Sequence, residues 1–142
     1  MEIREATAAD IETWVALRHA LWPHHDPEEL RPDTDRILTS PDEICMLAFD
    51  SRARAVGFIE GTIYQGADGP YGHVEGWYVD PGFRRRGVGR KLVGQLEHWC
   101  LHRSIRTLTS DTDPGFPLSP QGHAGAGFRV LRELTIFIKD LG

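Results

Sequence analysis

Residues 79–92 of this 142-residue chain read VDPGFRRRGVGRKL, and they carry the strongest structural signal in the sequence. The alternating run before it, residues 73–79, predicts a strand that ends at Asp80-Pro81-Gly82. After Gly89, apolar residues recur at helical spacing and predict an amphipathic helix that ends near His102. A glycine-bearing loop therefore joins a strand to a helix.

The loop has the chemistry of an anion site. Amides at a helix start have no acceptor within the helix, and Gly87 and Gly89 let a ligand approach the backbone closely. The loop is not a P-loop, because no Gly-Lys-Ser or Gly-Lys-Thr follows, and Leu92 stands where a dinucleotide fingerprint needs its third glycine. We therefore expect a pyrophosphate site, with a solvated basic helix cap as the alternative. The basic side chains around it are Arg84, Arg85, Arg86, Arg90 and Lys91.

Charge is unevenly distributed along the chain. The net charge is −5, but residues 1–83 sum to −10 and residues 84–106 to +6. A general nucleic-acid coat needs a broad positive face, so we expect no nucleic-acid partner. The basic island suits one small polyanion.

The remaining composition predicts a cytoplasmic protein. No run of about 18 apolar residues occurs, and the N-terminus lacks the pattern of a signal peptide, so we expect no membrane partner. Cys45 and Cys100 are too few for a disulfide framework and are expected to be buried, reduced thiols.

Helix and strand signals alternate over a length typical of one domain, here residues 1–142. Their order predicts an α/β (or α+β) fold with a mixed sheet. Pro32 is expected to restart or bend the second helix. The predicted elements are a strand at Ile3-Arg4, a helix after the capping box Thr7–Asp10, a helix from Asp26, strands at 44–49 and 55–64, a loop at 65–72, strands at 73–79 and 107–110, a loop at 113–120, a weak helix at 121–126 and a final strand at 130–138.

The pattern Arg84-x-x-Gly87-x-Gly89, after a strand ending in Val79, resembles the acyl-CoA signature of the GNAT superfamily of N-acetyltransferases. The resemblance implies a mostly antiparallel sheet that splays at the acyl-CoA site between flanking helices, with acetyl-CoA as co-substrate and no metal. It also implies that amides from Arg85 to Arg90, those of Arg86 and Val88 included, hold the coenzyme A pyrophosphate. The backbone of Trp77, Tyr78 and Val79 would pair with the pantetheine arm as an added strand.

Further motifs resemble the aminoglycoside 6′-N-acetyltransferases. They are Leu21-Trp22-Pro23, Val74-Glu75-Gly76, Ser110-Asp111-Thr112, Ser119, His123 and Gly127-Phe128. The resemblance implies acetyl transfer to the 6′-amino group of a polycationic aminoglycoside. It makes Glu75 and Asp111 the carboxylates that bind ammonium groups, one of which deprotonates the reacting amine. It further implies substrate contacts by Trp22 and Tyr71, an oxyanion contact by the Val79 amide, and a homodimer.

The chemistry needs a carboxylate independently of the resemblance. An aliphatic ammonium is only about 10⁻³ deprotonated at pH 7, so supplying the free amine costs roughly 4 kcal/mol. A carboxylate can take that proton directly or through water. The chain has no tyrosine after Tyr78, so the tyrosine that many acetyltransferases of this fold place near the departing thiolate is absent.

Four alternatives remain open at this point. The two carboxylates could form surface salt bridges, and Trp22 could be a core residue. The acceptor could instead be a polyamine, a small metabolite or a peptide amine. The chain could also be a non-catalytic acyl-CoA-binding domain, although cofactor binding alone needs no carboxylate on the acceptor side.

Overall fold

The structure is a computed structural model that describes residues 1–112, 116 and 119–142. Short 3₁₀ turns, Ala8–Asp10 and Pro81–Phe83, lie before the first and third helices. The elements in chain order are β1 (Glu2–Glu5), α1 (Ile11–Leu21), α2 (Pro27–Thr39), β2 (Glu43–Phe49), β3 (Ala55–Gly66), β4 (Gly69–Val79), α3 (Val88–His102), β5 (Leu108–Thr109) and α4 (Ser119–Gly125).

A five-stranded sheet in the order β1-β2-β3-β4-β5 forms the centre of the fold. The first four strands pair antiparallel, and β5 runs parallel to β4. Apolar residues of α3, such as Leu92 and Leu96, pack on one face of the sheet. Trp14 and Leu17 of α1 pack on the other face together with Ile37 of α2. The mixed, mostly antiparallel sheet with flanking helices confirms the predicted fold class.

The sheet opens between β4 and β5. These strands pair only where Gly72 faces Leu108 and where His73 faces Thr109. Beyond that point, residues 74–79 of β4 pair with β3 on one edge and have no strand partner on the other within the described part of the chain. This open edge lies directly before the glycine loop, as the predicted splay requires.

A β-bulge interrupts the β3–β4 ladder at a predicted site residue. Glu60 lies opposite Gly76, and the next residue, Gly61, lies opposite Val74. Glu75 is therefore the extra residue of the bulge. Bulges re-aim side chains and are frequent beside active sites.

Two predictions of local structure are wrong, the loop at residues 65–72 and the strand at residues 130–138. Both segments are exposed to solvent, where the apolar pattern of the sequence does not report on burial. Residues 65–72 are not a loop, because β3 continues to Gly66 and β4 begins at Gly69. Solvent surrounds this hairpin, so burial imposes no apolar alternation on its sequence. Residues 130–138 have the composition of a strand, but they carry no regular structure, and no neighbouring strand within the described chain supplies their backbone partners.

The second helix is continuous across its proline. Pro32 lies inside the single helix α2 and does not restart it. Buried Leu30, Thr34 and Ile37 hold this helix against the protein on both sides of the proline. Both predicted helix starts are confirmed, since capping boxes are present at Thr7 and at Asp26.

The cysteines are buried free thiols, as predicted, and burial raises the pKa of Cys45 well above its ordinary value. Most of the predicted loop at 113–120, namely residues 113–115, 117 and 118, lies outside the described residues. In the part that is described, no helix has the length and apolarity that a bilayer crossing requires.

Candidate active site

The glycine loop between β4 and α3 presents a row of free amides. Arg85 and Gly87 have positive φ angles of 63° and 80°. Residues in this left-handed conformation turn successive backbone amides toward the same side of the loop. At position 87 there is open space for a Cβ, so glycine is favoured there by its positive φ and not by lack of room. The first helical bond runs from the Lys91 amide to the Gly87 carbonyl at 3.0 Å. Within the described chain the amides of residues 85–90 have no acceptor, which is the geometry of an anion site.

Two arginines beside the loop, Arg84 and Arg90, have hydrogen-bond partners within the protein. Arg84 donates from Nε to the Val79 carbonyl at 2.8 Å, and its guanidinium lies 5.7 Å from the centre of the Tyr78 ring. Arg90 donates from Nε to the Gly125 carbonyl at 3.0 Å and so links α3 to α4. These two side chains brace the loop, while the free donors of the anion site are backbone amides.

Trp77 and Gly89 join the open edge to the helix start. Trp77 donates from Nε1 to the Gly89 carbonyl at 3.2 Å. A Cβ at Gly89 would lie 3.2 Å from the Trp77 ring, which is tighter than ordinary packing. Glycine at this position therefore lets α3 begin directly against β4.

Val79 directs its backbone to the open edge of the sheet. The next residue, Asp80, donates its amide to the Val56 carbonyl of β3 at 2.8 Å. Because neighbouring residues of a strand direct their backbone groups to opposite edges, the Val79 amide and carbonyl face away from β3. Trp77 and Val79 thus direct their backbone groups to the open edge beside the glycine loop, whereas the backbone of Tyr78, which was also predicted to pair with the pantetheine arm, faces β3.

A second group of side chains lies along β3, β4 and the residues after β5. We call it the acceptor wall and define it as Tyr64, Tyr71, His73, Glu75 and Asp111. Sequence analysis predicted three of these residues and missed Tyr64 and His73. The hairpin register would have revealed both, since Tyr64 pairs with Tyr71 and His73 follows two residues later on the same face of β4.

A series of side-chain contacts runs along the acceptor wall from Glu75 to Asp111. Tyr64 donates its hydroxyl hydrogen to Glu75, and this bond together with burial raises the pKa of Tyr64 to about 12. The Tyr64 ring stacks on Tyr71 at 5.8 Å and meets the His73 ring edge-on at 6.2 Å. His73 Nε2 lies 3.5 Å from an oxygen of Asp111, and the Asp111 side chain is 86% exposed. Glu75 and Asp111 do not touch, but one chain of contacts holds both.

Trp22 lies at the bulge beside Glu75. A Cβ at Gly76 would come within 2.8 Å of the Trp22 ring, so the indole packs directly on the main chain of β4. Its ring meets Phe58 edge-on at 6.2 Å, and the Arg18 guanidinium lies 4.9 Å from the ring centre. Trp22 is half-buried and packs against the α1-side core, so the core interpretation is correct for part of the ring.

A buried ion pair that sequence analysis missed lies behind Trp22. Glu60 is 2% exposed and Arg18 is 5% exposed. Arg18 Nε lies 3.2 Å from Glu60 Oε2, and Trp14 donates from Nε1 to the same oxygen at 2.8 Å. Burial raises the pKa of Glu60 to about 7, although the nearby Arg18 charge opposes the shift.

His123 connects α4 to the end of β5. Its Nδ1 lies 2.8 Å from the Ser119 carbonyl, which only accepts, so Nδ1 carries the hydrogen. Its Nε2 lies 2.6 Å from the Ser110 hydroxyl, from which the ring accepts in the tautomer with hydrogen on Nδ1 only. The ring edge contacts Trp77 at 5.1 Å between centroids. Three residues of the predicted motifs thus meet beside the open edge of β4.

Comparison with known proteins agrees with this arrangement. The model of the acetyltransferase (GNAT) family matches residues 11–116. The aminoglycoside N(6′)-acetyltransferase type 1 of Serratia marcescens is 32% identical over 94% of this chain and 94% of that protein. The protein of the same name from Salmonella enteritidis is 30% identical over 98% of this chain and 99% of its own length.

Solved structures share the whole fold. The aminoglycoside 6′-N-acetyltransferase AAC(6′)-Ih from Acinetobacter baumannii superposes with a TM-score of 0.88 at 25% identity, covering 99% of each chain. AAC(6′)-Iy in complex with the bisubstrate analog CoA-S-monomethyl-acetylneamine superposes with a TM-score of 0.88 at 28% identity, covering 99% of this chain and 98% of that one.

Proposed function

The chain belongs to the GNAT family of acetyltransferases, and we propose that it transfers the acetyl group of acetyl-CoA to the 6′-amino group of an aminoglycoside. The observation that carries this proposal is the meeting of two surfaces at β4. One is the open edge with its free amides, and the other is the acceptor wall with its two carboxylates. The similarity to aminoglycoside 6′-N-acetyltransferases over nearly the full length of the chain supports the same acceptor.

The residues at the open edge fit acetyl-CoA. The amides of residues 85–90 suit its pyrophosphate, and Arg85 and Arg86 add positive charge there. The backbone of Trp77 and the amide of Val79 face the open edge and suit the amides of a pantetheine arm, which would extend the sheet by one strand. The Val79 carbonyl already accepts a hydrogen bond from Arg84. When bound, acetyl-CoA supplies the activated thioester.

We assign the proton-accepting role to Glu75 and an ammonium-binding role to Asp111. The bulge places Glu75 next to Gly76 and the open edge, four residues before Val79. Glu75 takes a proton from the acceptor ammonium, directly or through water, and the amine nitrogen then bonds to the thioester carbonyl carbon. The carbon–sulfur bond breaks as the nitrogen loses its second proton to water, and the thiolate takes a proton from water, so that one proton passes from nitrogen to sulfur with no net gain or loss. The Val79 amide faces the position where negative charge develops on the carbonyl oxygen.

The acceptor wall suits a large polycation. Aromatic rings of Tyr71 and Trp22 flank the carboxylates, and flat rings attract ammonium groups by cation–π contact. The net charge of −10 over residues 1–83 adds long-range attraction. We further propose that residues 1–142 act as one catalytic domain and that the enzyme is a cytoplasmic homodimer. Buried reduced thiols suit that compartment.

A direct assay tests the proposal. The purified chain is mixed with acetyl-CoA, and thiol release is followed with kanamycin, tobramycin, polyamines and peptide amines as acceptors. We expect turnover with aminoglycosides that carry a 6′-amine and none with a matched aminoglycoside that carries a 6′-hydroxyl. Turnover of only polyamines or peptides would move the chain to another acceptor. Acetyl-CoA binding without any turnover would make it a binding domain.

A further inference from the structure

His73 and Asp111 make a contact in the acceptor wall that the proposed reaction does not use. His73 Nε2 lies 3.5 Å from an oxygen of the Asp111 carboxylate. The His73 side chain is only 20% exposed, whereas the Asp111 side chain projects into solvent. The carboxylate proposed to bind an ammonium group of the acceptor therefore already has a partner in the free protein.

Strand β5 holds the other side of the His73 ring. His73 Nδ1 lies 2.7 Å from Thr109 Oγ1. The Thr109 hydroxyl donates its one hydrogen to the Gly72 carbonyl at 3.3 Å, so Oγ1 accepts the hydrogen of Nδ1. The contact between Nε2 and the Asp111 carboxylate is then favourable only if Nε2 also carries a hydrogen, because two acceptors repel each other. A ring with both hydrogens is an imidazolium and carries a positive charge.

The titratable groups of the β3–β4 hairpin that face His73 have partners of their own. The Tyr64 ring meets the His73 ring edge-on at 6.2 Å. Tyr64 donates its hydroxyl hydrogen to Glu75 and stacks on Tyr71. The proton of Tyr64 and the charge of Glu75 are thus engaged with each other.

The charged groups toward α1 and α2 are also paired. Glu60 of β3 pairs with Arg18 of α1, and Glu43 of β2 pairs with Arg36 of α2 at 3.1 Å. Among the described residues, the carboxylate that contacts the His73 ring is therefore the one that follows β5.

We propose that charged His73 occupies Asp111 in the free protein and that an ammonium group of the acceptor takes its place. The proton on Nε2 then passes to solvent, and no covalent bond of the acceptor changes in this step. The proposal rests on the ammonium-binding role of Asp111 in the proposed function. It holds for any acceptor with ammonium groups, whether an aminoglycoside or a polyamine.

The exchange of cations makes acceptor affinity depend on the charge of His73. Imidazoles change charge between pH 5 and 8. When the ring is charged, its pair with Asp111 is neutral overall and attracts a cation weakly. When the ring is neutral, Asp111 presents its full negative charge. Acceptor affinity should therefore rise with pH over this interval, and by thermodynamic reciprocity acceptor binding should release a proton.

Calorimetric titration of the full chain with tobramycin tests the exchange. Coenzyme A is present, so that the acceptor binds without turnover, and two buffers of different ionisation enthalpy count the protons released. The amines of tobramycin exchange protons as well, so the quantity compared is the difference between the wild type and His73→Gln. At pH 6 the wild type should release about half a proton more than His73→Gln. From pH 5.5 to pH 7.5 its affinity should rise about three- to fivefold more than that of the variant.

Two further variants show whether the difference comes from this pair. His98 is an exposed histidine of α3, on the other face of the sheet, so His98→Gln should behave as the wild type. Asp111→Asn removes the carboxylate that both cations use, so adding His73→Gln to it should change proton release little. Asp111 is exposed, so Asp111→Asn should fold even if His73→Gln does not, and it should itself lower proton release.

The outcomes separate the role of His73 from the identity of the acceptor. Equal proton release by the wild type and His73→Gln, with tobramycin bound to both, would mean that Thr109 donates to Nδ1 and that the ring is neutral. That result, or a difference that persists in Asp111→Asn, would overturn the proposal and leave the acceptor unchanged. If tobramycin does not bind, spermidine is titrated in its place. Failure of both cations to bind would overturn this proposal together with the ammonium-binding role of Asp111.

Discussion

Tyr64 donates its hydroxyl hydrogen to Glu75 across the β3–β4 hairpin. Glu75 is the extra residue of a β-bulge, so the ladder alone does not fix the direction of its side chain. The Tyr64 hydroxyl supplies that fixed point, and stacking on Tyr71 in turn holds the Tyr64 ring. Tyr64 has a pKa raised to about 12, so it keeps its proton and donates throughout the physiological pH range.

Tyr64→Phe should weaken catalysis without weakening cofactor binding. The variant keeps the ring and loses one hydrogen bond to a carboxylate, so kcat/KM for the acceptor should fall about three- to tenfold. Steady-state kinetics at varied acceptor concentration measure this loss. Tyr71→Phe, which keeps the stacked pair, is the matched control and should change kcat/KM less. Equal effects of both variants would show that Glu75 does not depend on the Tyr64 hydroxyl.

The two carboxylates should differ in the kinetic constant that they control. Glu75→Gln removes the proposed proton acceptor and should lower kcat by about 10² or more. Asp111→Asn removes one ammonium contact and should mainly raise the acceptor KM, by about tenfold. Calorimetric titration should give an unchanged acetyl-CoA dissociation constant for both variants. Full turnover in both would refute the assigned roles.

Gly87→Ala should destabilise the glycine loop and weaken acetyl-CoA binding. The φ of 80° at this position costs a residue with a Cβ about 1 kcal/mol, so the free energy of unfolding should fall by that amount. The acetyl-CoA dissociation constant should rise as the amides lose their alignment. Gly82→Ala lies in the same loop, has open space around it and needs no positive φ, so it is the control. Urea unfolding and calorimetry measure the two effects, and equal behaviour of the variants would contradict the prediction.

Glu60 should make folding stability depend on pH. Burial raises its pKa from 4.5 to about 7, so between these values the folded state holds a proton that the unfolded state has lost. Stability from this group is therefore fully present below pH 4.5 and is lost as the pH rises through 7. Between pH 4.5 and pH 7 the wild type should lose about 3 kcal/mol of its free energy of unfolding through this group. Glu60→Gln has no group that titrates there, so it should not show this loss.

Urea unfolding at pH 4.5 and pH 7 measures that difference. The exposed Glu5→Gln serves as the control, and its pH dependence should follow the wild type. If Glu60→Gln also follows the wild type, the buried carboxyl titrates normally, which would mean that its pairing with Arg18 offsets its burial.

Salt should weaken acceptor binding. The acidic residues of the N-terminal 83 residues attract a polycation over distances that salt screens, with a Debye length of about 8 Å at physiological ionic strength. The acceptor KM should rise steeply from low to moderate ionic strength. Acceptors with fewer ammonium groups should show a shallower slope, and a flat KM for all of them would exclude long-range attraction.

The sequence was sufficient to predict the anion loop and the helix after it. Gly87 and Gly89 predict a turn whose geometry depends only on neighbouring residues. The helical spacing of apolar residues in α3 predicts a helix with one face buried against the sheet. Both signals lie within a few residues of the structure that they specify. The same holds for the capping boxes at Thr7 and Asp26.

The connections within the acceptor wall could not be predicted. Tyr64 reaches Glu75 only because the hairpin extends to Gly66 and because a bulge shifts the register at Glu75. The hairpin is solvated, so no apolar pattern marks its length, and a bulge has no sequence signature of its own. Residues 130–138 show the converse, since their apolar alternation predicts a strand but the structure gives them no regular secondary structure.

Gly76 affects the size of the proposed acceptor site because it has no side chain. The Trp22 indole occupies the space that any side chain at this position would fill. A single methyl group there would displace the ring and so alter the floor of the proposed acceptor site. Under the proposed function, acceptor selectivity is thus open to adjustment by evolution or design at a position that has no side chain, carries no charge and lies outside the proposed chemistry.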